Sequence, residues 1–210
     1  MPQLGRIGFW AGLAAAAATV AYDVVQLLQV LGLLHFPLDE ILIFGTSLCI
    51  VVPFVLEILA LHYSRPVESR FWTHAGLIFT TMYAVFGTAN YIIQLATVIP
   101  AKRRGMEETV RVLEQTPHSL LWDFDAIAYL AMGLTALLII PALRNSGLER
   151  RVRLAAVAHG VATVLAGIVY FHPSYSNKLL MLGLPWGITA PLFMVSLAVA
   201  LRTEHSSRAA

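Results

Sequence analysis

Six apolar stretches, each long enough to cross a lipid bilayer, occupy most of this 210-residue sequence. A membrane-spanning helix needs about 20 predominantly apolar residues, and helices satisfy their own backbone groups where no water is present. The stretches are Ile7–Leu34, Ile41–Tyr63, Phe71–Ile99, Leu120–Leu143, Leu154–Phe171 and Leu179–Leu201. We therefore expect an all-α, polytopic membrane protein in which residues 1–210 form a single domain of six transmembrane helices with short loops.

Composition supports the same class and limits the chemistry. Hydrophobic residues make up 58% and charged residues 12% of the chain, whereas soluble domains carry about 25% charged residues. No length remains for a soluble catalytic domain, so any reaction must take place among the helices. Cys49 is the single cysteine, which argues against an internal disulfide or a cysteine-zinc site. We expect no metal, no cofactor and no nucleic-acid partner, and the composition leaves the oligomeric state open.

The ends of the chain bear on membrane orientation. The first stretch begins with Arg6 and an alanine-rich run, as a secretory signal does, but it continues through "VVQLLQVLGLL" and so favours a retained helix. With the N-terminus inside, nine Lys and Arg residues lie inside and five lie outside. This bias predicts cytoplasmic N- and C-termini in a bacterial inner membrane, although the cluster Lys102–Arg104 lies on the outer side.

One connection is longer than the others, residues 101–118, "AKRRGMEETVRVLEQTPH". Met106, Val110 and Leu113 fall on one helical face, which predicts an amphipathic segment on the outer membrane surface. It could be a solvated connector or a lid over an outward-facing cavity. Thr116 and Pro117 are suitable as the cap and first position of the next helix.

The fourth stretch carries two acids, Asp123 and Asp125. An ionised acid at the centre of a bilayer costs roughly 2.5–3.5 kcal/mol even on insertion scales. Because they are two residues apart, the acids point to nearly opposite helix faces. Asp125 shares its face with Trp122 and Tyr129, and we expect it to face a polar chamber inside the bundle.

Polar side chains on other stretches lie at similar predicted depths. We predict a site with two catalytic acids, Asp125 and Asp23. Its substrate-binding residues would be Tyr83, Asn90, Gln94, Trp122, Tyr129, Tyr170 and Trp186. A secondary polar cluster, Glu57 and His159, would occupy the inner half of the membrane. Each buried polar residue could instead serve as a hydrogen bond between helices, and Glu57 could reach the interface.

Four segments carry a resemblance: "WTHAGLIFTTMYAVFGTANYIIQLATVIP", "DAIAYLAMG", "LERRVRLAAVAHG" and "GLPWGITAP". They resemble an uncharacterised family of small bacterial multi-pass membrane proteins, which implies no activity. In architecture alone, the chain is similar to membrane-integral terpene cyclases. That likeness implies an all-helical bundle whose intramembrane carboxylic acids protonate a lipophilic substrate.

The pattern is compatible with a binding, assembly or structural protein and with three more specific functions. The first is a membrane-embedded acid–base enzyme, a cyclase or isomerase acting on a lipophilic, isoprenoid-like substrate, with Asp125 as proton donor and aromatic faces stabilising a carbocation. The second is a proton-coupled transporter or carrier that uses the buried acids as a relay. The third is a b-type haem protein with His74 and His159 as axial ligands.

Overall fold

The computed structural model describes residues 2–209, and within this range it contains helices and turns but no strand. Six helices are long and apolar enough to cross a membrane, which confirms the predicted fold class. We number them α1 (Pro2–Val30), α2 (Leu38–Ser64), α3 (Arg70–Ile93), α4 (Leu120–Leu138), α5 (Gly147–Phe171) and α6 (Leu184–Ala209).

The six helices form a closed ring in chain order. Each helix packs against the next one along the chain, and α6 returns to pack against α1. Large apolar side chains on the outside of the ring are exposed, as expected for surfaces that face lipid; they include Val52, Phe71, Val85, Leu154, Phe171 and Ile188. The interior is mainly apolar, with Phe54, Met132 and Phe193 fully buried, but it also holds polar side chains such as Asn90 and Asp125.

Small residues let neighbouring helices approach closely. A Cβ atom added to Gly133 of α4 would lie 2.3 Å from the hydroxyl oxygen of Thr163 on α5. Gly160 of α5 receives the side chain of Leu137 in the same manner, with a nearest distance of 2.4 Å. Close approach of this kind is how membrane helices gain packing energy when lipid is as apolar as the side chains.

Several helix ends differ from the sequence prediction, and two of the differences have a clear local cause. The first helix ends at Val30 instead of Leu34, because Gly32 adopts a φ of +68° and closes the helix with a bond from Leu33 N to Leu28 O. The fourth helix begins at Leu120, where the Ser119 hydroxyl caps the helix by accepting from Trp122 N at 3.2 Å. The prediction of a cap at Thr116 is therefore wrong, and Asp125 lies about 9 Å into the helix.

The predicted outer connector folds back on α3. Beyond Ile93, α3 continues as a π-helical turn, Gln94–Val98, and a last turn, Ile99–Lys102. Short helical turns follow at Glu107–Val110 and Arg111–Leu113. Val110 and Leu113 pack against the end of α3, whereas Met106, predicted on the same face, is exposed. We call the end of the bundle that carries this segment the connector end.

A buried ion pair ties together two loops at the opposite end. Arg65, which follows α2, donates from Nη1 to Glu149 Oε1 of α5 at 3.0 Å, and both side chains are buried. The Arg144 backbone N–H and its Nε also donate to the Glu149 carboxylate. Glu149 therefore fixes the turn between α4 and α5 against the end of α2.

Candidate functional site

The Asp125 carboxylate lies inside the ring near the connector end and accepts three hydrogen bonds from three different parts of the chain. Tyr91 of α3 donates its hydroxyl to Oδ1 at 3.2 Å. Tyr170 of α5 donates its hydroxyl to Oδ2 at 2.6 Å, and the Gln115 amide donates to the same oxygen at 3.0 Å. Asp125 is 5% exposed, whereas Asp123 is exposed, as their helical spacing requires. All three partners act as donors, which is the arrangement that suits an ionised carboxylate.

Gln115 brings the connector into the site. Its carbonyl oxygen accepts from Asn90 Nδ2 at 2.7 Å while its amide donates to Asp125, so one side chain joins α3 and α4. Gln94 holds the same segment by its backbone: Nε2 donates to Leu113 O at 2.8 Å, and Oε1 accepts from Gln115 N at 3.4 Å. The connector therefore closes the site instead of lying apart from it.

The end of α3 is shaped to hold the connector. The π-helical turn begins at Gln94, and such turns are rare and are frequent at functional sites. Eight residues on, Lys102 makes ion pairs of 2.7 Å with both Glu40, in the first turn of α2, and Glu114 in the connector. Its ammonium group also lies 5.0 Å from the centre of the Phe36 ring. Lys102 therefore joins the connector at Glu114, next to Gln115, to the start of α2.

Aromatic rings line the site beside Asp125. The Trp122 and Tyr170 rings are 4.6 Å apart, Tyr170 and Tyr129 are 5.5 Å apart, and Tyr129 and Trp186 are 4.4 Å apart. Trp122 also donates from Nε1 to the Tyr170 backbone oxygen at 3.3 Å. Four predicted binding residues therefore form one continuous aromatic wall, which extends to Tyr175, whose ring lies 5.7 Å from that of Trp122.

A chain of polar side chains joins this wall to the surface at the connector end. The Tyr129 and Tyr22 hydroxyls lie 2.9 Å apart and connect α4 with α1 across the ring. From Tyr22 the chain continues through Gln26 and Gln29 to Asp39 at the start of α2, with successive distances of 3.2, 3.2 and 3.0 Å. The interior site is thus linked to the interface by side chains alone.

Two predicted residues lie apart from Asp125. Asp23 lies against α6, where a Cβ atom on Gly187 would be 2.6 Å from its Oδ1; it makes no hydrogen bond with Asp125. Tyr83 is buried, and its ring packs edge-on against Phe54 at 5.6 Å. The structure therefore joins Asn90 and Gln94 to Asp125 through the connector, and places Asp23 and Tyr83 in other contacts.

Glu57 and His159 do not form the predicted secondary cluster through a hydrogen bond. Neither oxygen of the Glu57 carboxyl has a hydrogen-bond partner, and Glu57 lies against Gly12 of α1. His159 is fully buried with Nδ1 3.2 Å from the Thr189 hydroxyl, while its Nε2 has no partner. Both residues are buried, but each makes its own contacts, and the secondary cluster stays a prediction.

The histidine pair needed for a haem does not assemble. His74 is exposed, and its ring lies 5.9 Å from that of His62. The buried ring of His159 instead stacks on Phe193 and lies 5.6 Å from the Trp186 ring. Among the side chains that the structure describes, no group of three or more His, Cys, Asp and Glu residues is placed to hold a metal ion.

Tyr22, Tyr91 and Gln115 belong to the site but were not predicted from the sequence. Tyr22 lies beside Asp23 and four residues before Gln26, so the polar stripe of α1 could have included it. Tyr91 was not predicted because it lies outside the helix face that carries Tyr83, Asn90 and Gln94. No sequence pattern pointed to Gln115, because an irregular connector has no helical or strand periodicity from which the direction of a side chain can be predicted.

Comparison with known proteins adds no relative. No protein-family model, no curated protein and no solved structure matches this chain. The resemblances drawn from the four sequence segments therefore stay predictions, and the functional argument rests on the geometry around Asp125.

Proposed function

We propose that this protein is a membrane-embedded acid–base enzyme in which Asp125 exchanges a proton with a lipophilic substrate. The observation that supports this most is the buried Asp125 carboxyl, positioned by Tyr91, Tyr170 and Gln115 beside a wall of aromatic rings. A carboxyl held by fixed donors in a dry site keeps its orientation, and proton transfer depends on that orientation.

The proposed reaction is an isomerisation or cyclisation of an isoprenoid-like lipid. After Gln115 has moved away and the Asp125 carboxylate has taken up a proton, Asp125 gives this proton to an alkene carbon, whose π electrons form the new C–H bond and leave a carbocation. Loss of a proton from a neighbouring carbon to the Asp125 carboxylate then forms a new double bond. The faces of Trp122, Tyr129 and Trp186 are suited to stabilise the cation. Asp23, as an assisting carboxyl, stays a prediction.

The connector is the proposed entrance. Gln115 occupies one side of Asp125, so a substrate must displace Gln115 or enter between helices from the lipid. Asn90 would then be free to bind a polar group of the substrate, since its Nδ2 loses Gln115 and its Oδ1 has no partner. This makes the connector a lid in the proposal, which is one of the two alternatives left open by its sequence.

Solvent deuterium tests the proposal without a known product. The purified protein is incubated in D2O with a lipid extract, and deuterium in C–H positions of the lipids is measured by mass spectrometry. We expect incorporation with the native protein and with Asp123→Asn, and none with Asp125→Asn. Asp123 is the matched control because it is an exposed acid on the same helix. Equal incorporation by both variants would refute an acid–base role for Asp125.

A proton-coupled carrier is the second candidate. The series of hydrogen-bonded side chains from Asp39 to Tyr129 favours it. A relay of this kind needs continuous hydroxyl and amide groups from the interface to the interior. In proteoliposomes, Tyr22→Phe removes the shared hydroxyl and should slow proton uptake that is driven by a substrate gradient. Unchanged uptake in Tyr22→Phe would contradict the carrier.

We also propose that both termini are cytoplasmic, in a bacterial inner membrane, on the nine-to-five distribution of Lys and Arg. Arg150→Cys in a Cys49→Ser background tests the orientation, because both positions are exposed. We expect that an impermeant thiol reagent does not label Arg150→Cys in intact cells. Labelling from outside would reverse the orientation.

A further inference from the structure

Glu57 is a buried acid like Asp125 and Glu149, and its surroundings differ from those of both. Glu57 is 0% exposed, yet neither Oε1 nor Oε2 has a hydrogen-bond partner. It lies in the second half of α2, one turn after Pro53 and seven residues before the last helical residue, Ser64. An ionised carboxylate without donors or a counter-ion is far more costly to bury than a neutral acid.

The packing around Glu57 is dry and close. A Cβ atom on Gly12 would lie 2.2 Å from Glu57 Oε1 and 2.8 Å from the Ala198 Cβ atom, so the carboxyl sits where α1, α2 and α6 meet. A side chain at position 12 would overlap the Glu57 carboxyl in its present position, so the absence of a side chain at Gly12 makes room for it. Neither Gly12 nor Ala198 offers a charge or a side-chain donor.

A groove on the outside of the ring passes close to this carboxyl. It encloses about 620 Å³ between α1 and α2, and most of its surface is apolar. Ala11 and Leu56, which immediately precede Gly12 and Glu57, belong to its lining, together with Arg6, Trp10, Ala14 and Pro53. The groove therefore runs along the same two helices, α1 and α2, that pack together at Gly12 and Glu57.

We propose that Glu57 is a second proton-binding site of this protein, separate from Asp125, held as a neutral carboxylic acid and able to exchange its proton. Its burial, its two unpartnered oxygens and the groove behind Gly12 together carry the inference. Charged groups along these helices include Arg6, which lines the groove, and Arg202 on α6, whose guanidinium lies 4.6 Å from the Phe9 ring centre. The site requires no part of the proposed reaction at Asp125.

A lipophilic carbodiimide is the chemical probe for such a site. The Glu57 proton moves to a carbodiimide nitrogen, and the carboxylate oxygen attacks the central carbon to form an O-acylisourea. Transfer of the acyl group from oxygen to nitrogen then gives a stable N-acylurea, with no atom lost. The reaction needs a neutral acid that the reagent can reach from lipid. A solvent-exposed carboxylate is ionised and lies outside the lipid, so it does not meet this requirement.

The experiment treats the full-length protein in membranes with dicyclohexylcarbodiimide, or with a water-soluble carbodiimide, and locates the adduct by peptide mass spectrometry. We expect the lipophilic reagent to modify Glu57 in the native protein and in Asp125→Asn, and the water-soluble reagent to leave it unmodified. No adduct at Glu57, or equal modification by both reagents, would overturn the proposal. Because the adduct is located in the native chain, the result does not depend on whether Glu57→Gln folds.

Infrared spectroscopy tests whether the proton exchanges. In protein labelled with ¹³C-glutamate, a protonated glutamic acid gives a carbonyl band that shifts on labelling, which separates it from Asp125. We expect this band in native protein and in Asp125→Asn, with a further shift after transfer to D2O, and its loss in Glu57→Gln. A missing band would show an ionised Glu57, and a band unaffected by D2O would show a proton that does not exchange; either result refutes the site.

Discussion

Replacing Gln115 by alanine tests how firmly the connector closes the site. The change removes two hydrogen bonds: the 3.0 Å bond from Gln115 to Asp125 and the 2.7 Å bond from Asn90 to Gln115. Side-chain hydrogen bonds inside membrane proteins average about 0.6 kcal/mol and reach about 1.7 kcal/mol. Two of them therefore stabilise the closed connector by about 1.2–3.4 kcal/mol. Since about 1.4 kcal/mol is a tenfold change in an equilibrium, opening should become roughly eightfold to 300-fold more favourable.

Hydrogen exchange measured by mass spectrometry gives the assay, because amides of the connector exchange only when it opens. Peptides that include residues 113–116 should exchange at least severalfold faster in Gln115→Ala, while peptides from α5 and α6 keep their rates. Glu107→Ala is the control, since Glu107 is exposed on the same segment. Unchanged exchange in Gln115→Ala would show that Lys102 and Gln94 hold the connector without Gln115. It would refute the proposal that the Gln115 side chain keeps the connector closed.

Three further predictions concern the bundle that carries the site, each measured as thermal stability in detergent. Gly133→Ala should lower the free energy of unfolding by about 1–3 kcal/mol because its methyl group overlaps Thr163, whereas Gly45→Ala, with nothing within 4 Å, should not destabilise the protein. Glu149→Ala should cost about 3–5 kcal/mol because it leaves Arg65 buried without this carboxylate, whereas Glu108→Ala breaks only an exposed pair and should cost under about 1 kcal/mol. Ser119→Ala should cost about 0.5–2 kcal/mol through the lost cap of α4, and Ser119→Asp should retain most of the stability; equal stability of the two variants would contradict the cap.

The helices were predictable because hydrophobic length is a signal that the bilayer itself imposes. All six spans were located, and the errors occur at their ends, where local backbone chemistry decides. Gly32 ends α1 early and Ser119 begins α4 late, and neither effect changes mean hydropathy. The opposite directions of Asp123 and Asp125 were also predictable, since they follow from the helical period alone.

The membership of the site was only partly predictable. Depth along a span can be counted from sequence, so Asn90, Asp125 and Tyr170 were placed at one level. The direction of a side chain around its helix depends on which helices become neighbours, and a single sequence does not contain that order. Asp23 shares the depth of Asp125 but packs against Gly187, and the π-helical turn at Gln94 rotates the end of α3 toward a connector that has no periodic pattern.

Asp125 and Glu57 meet the cost of a buried acid in opposite ways. Asp125 is surrounded by donors from α3, α5 and the connector, an arrangement that suits negative charge and changes when Gln115 moves. Glu57 has no donor at all and packs against the backbone of α1 at Gly12, an arrangement that suits only the neutral acid. If the acids served merely to join helices, each would be expected to bond across an interface, as Thr80 and Thr135 do at 3.1 Å. Glu57 makes no such bond, so helix association does not account for its presence, and proton binding does.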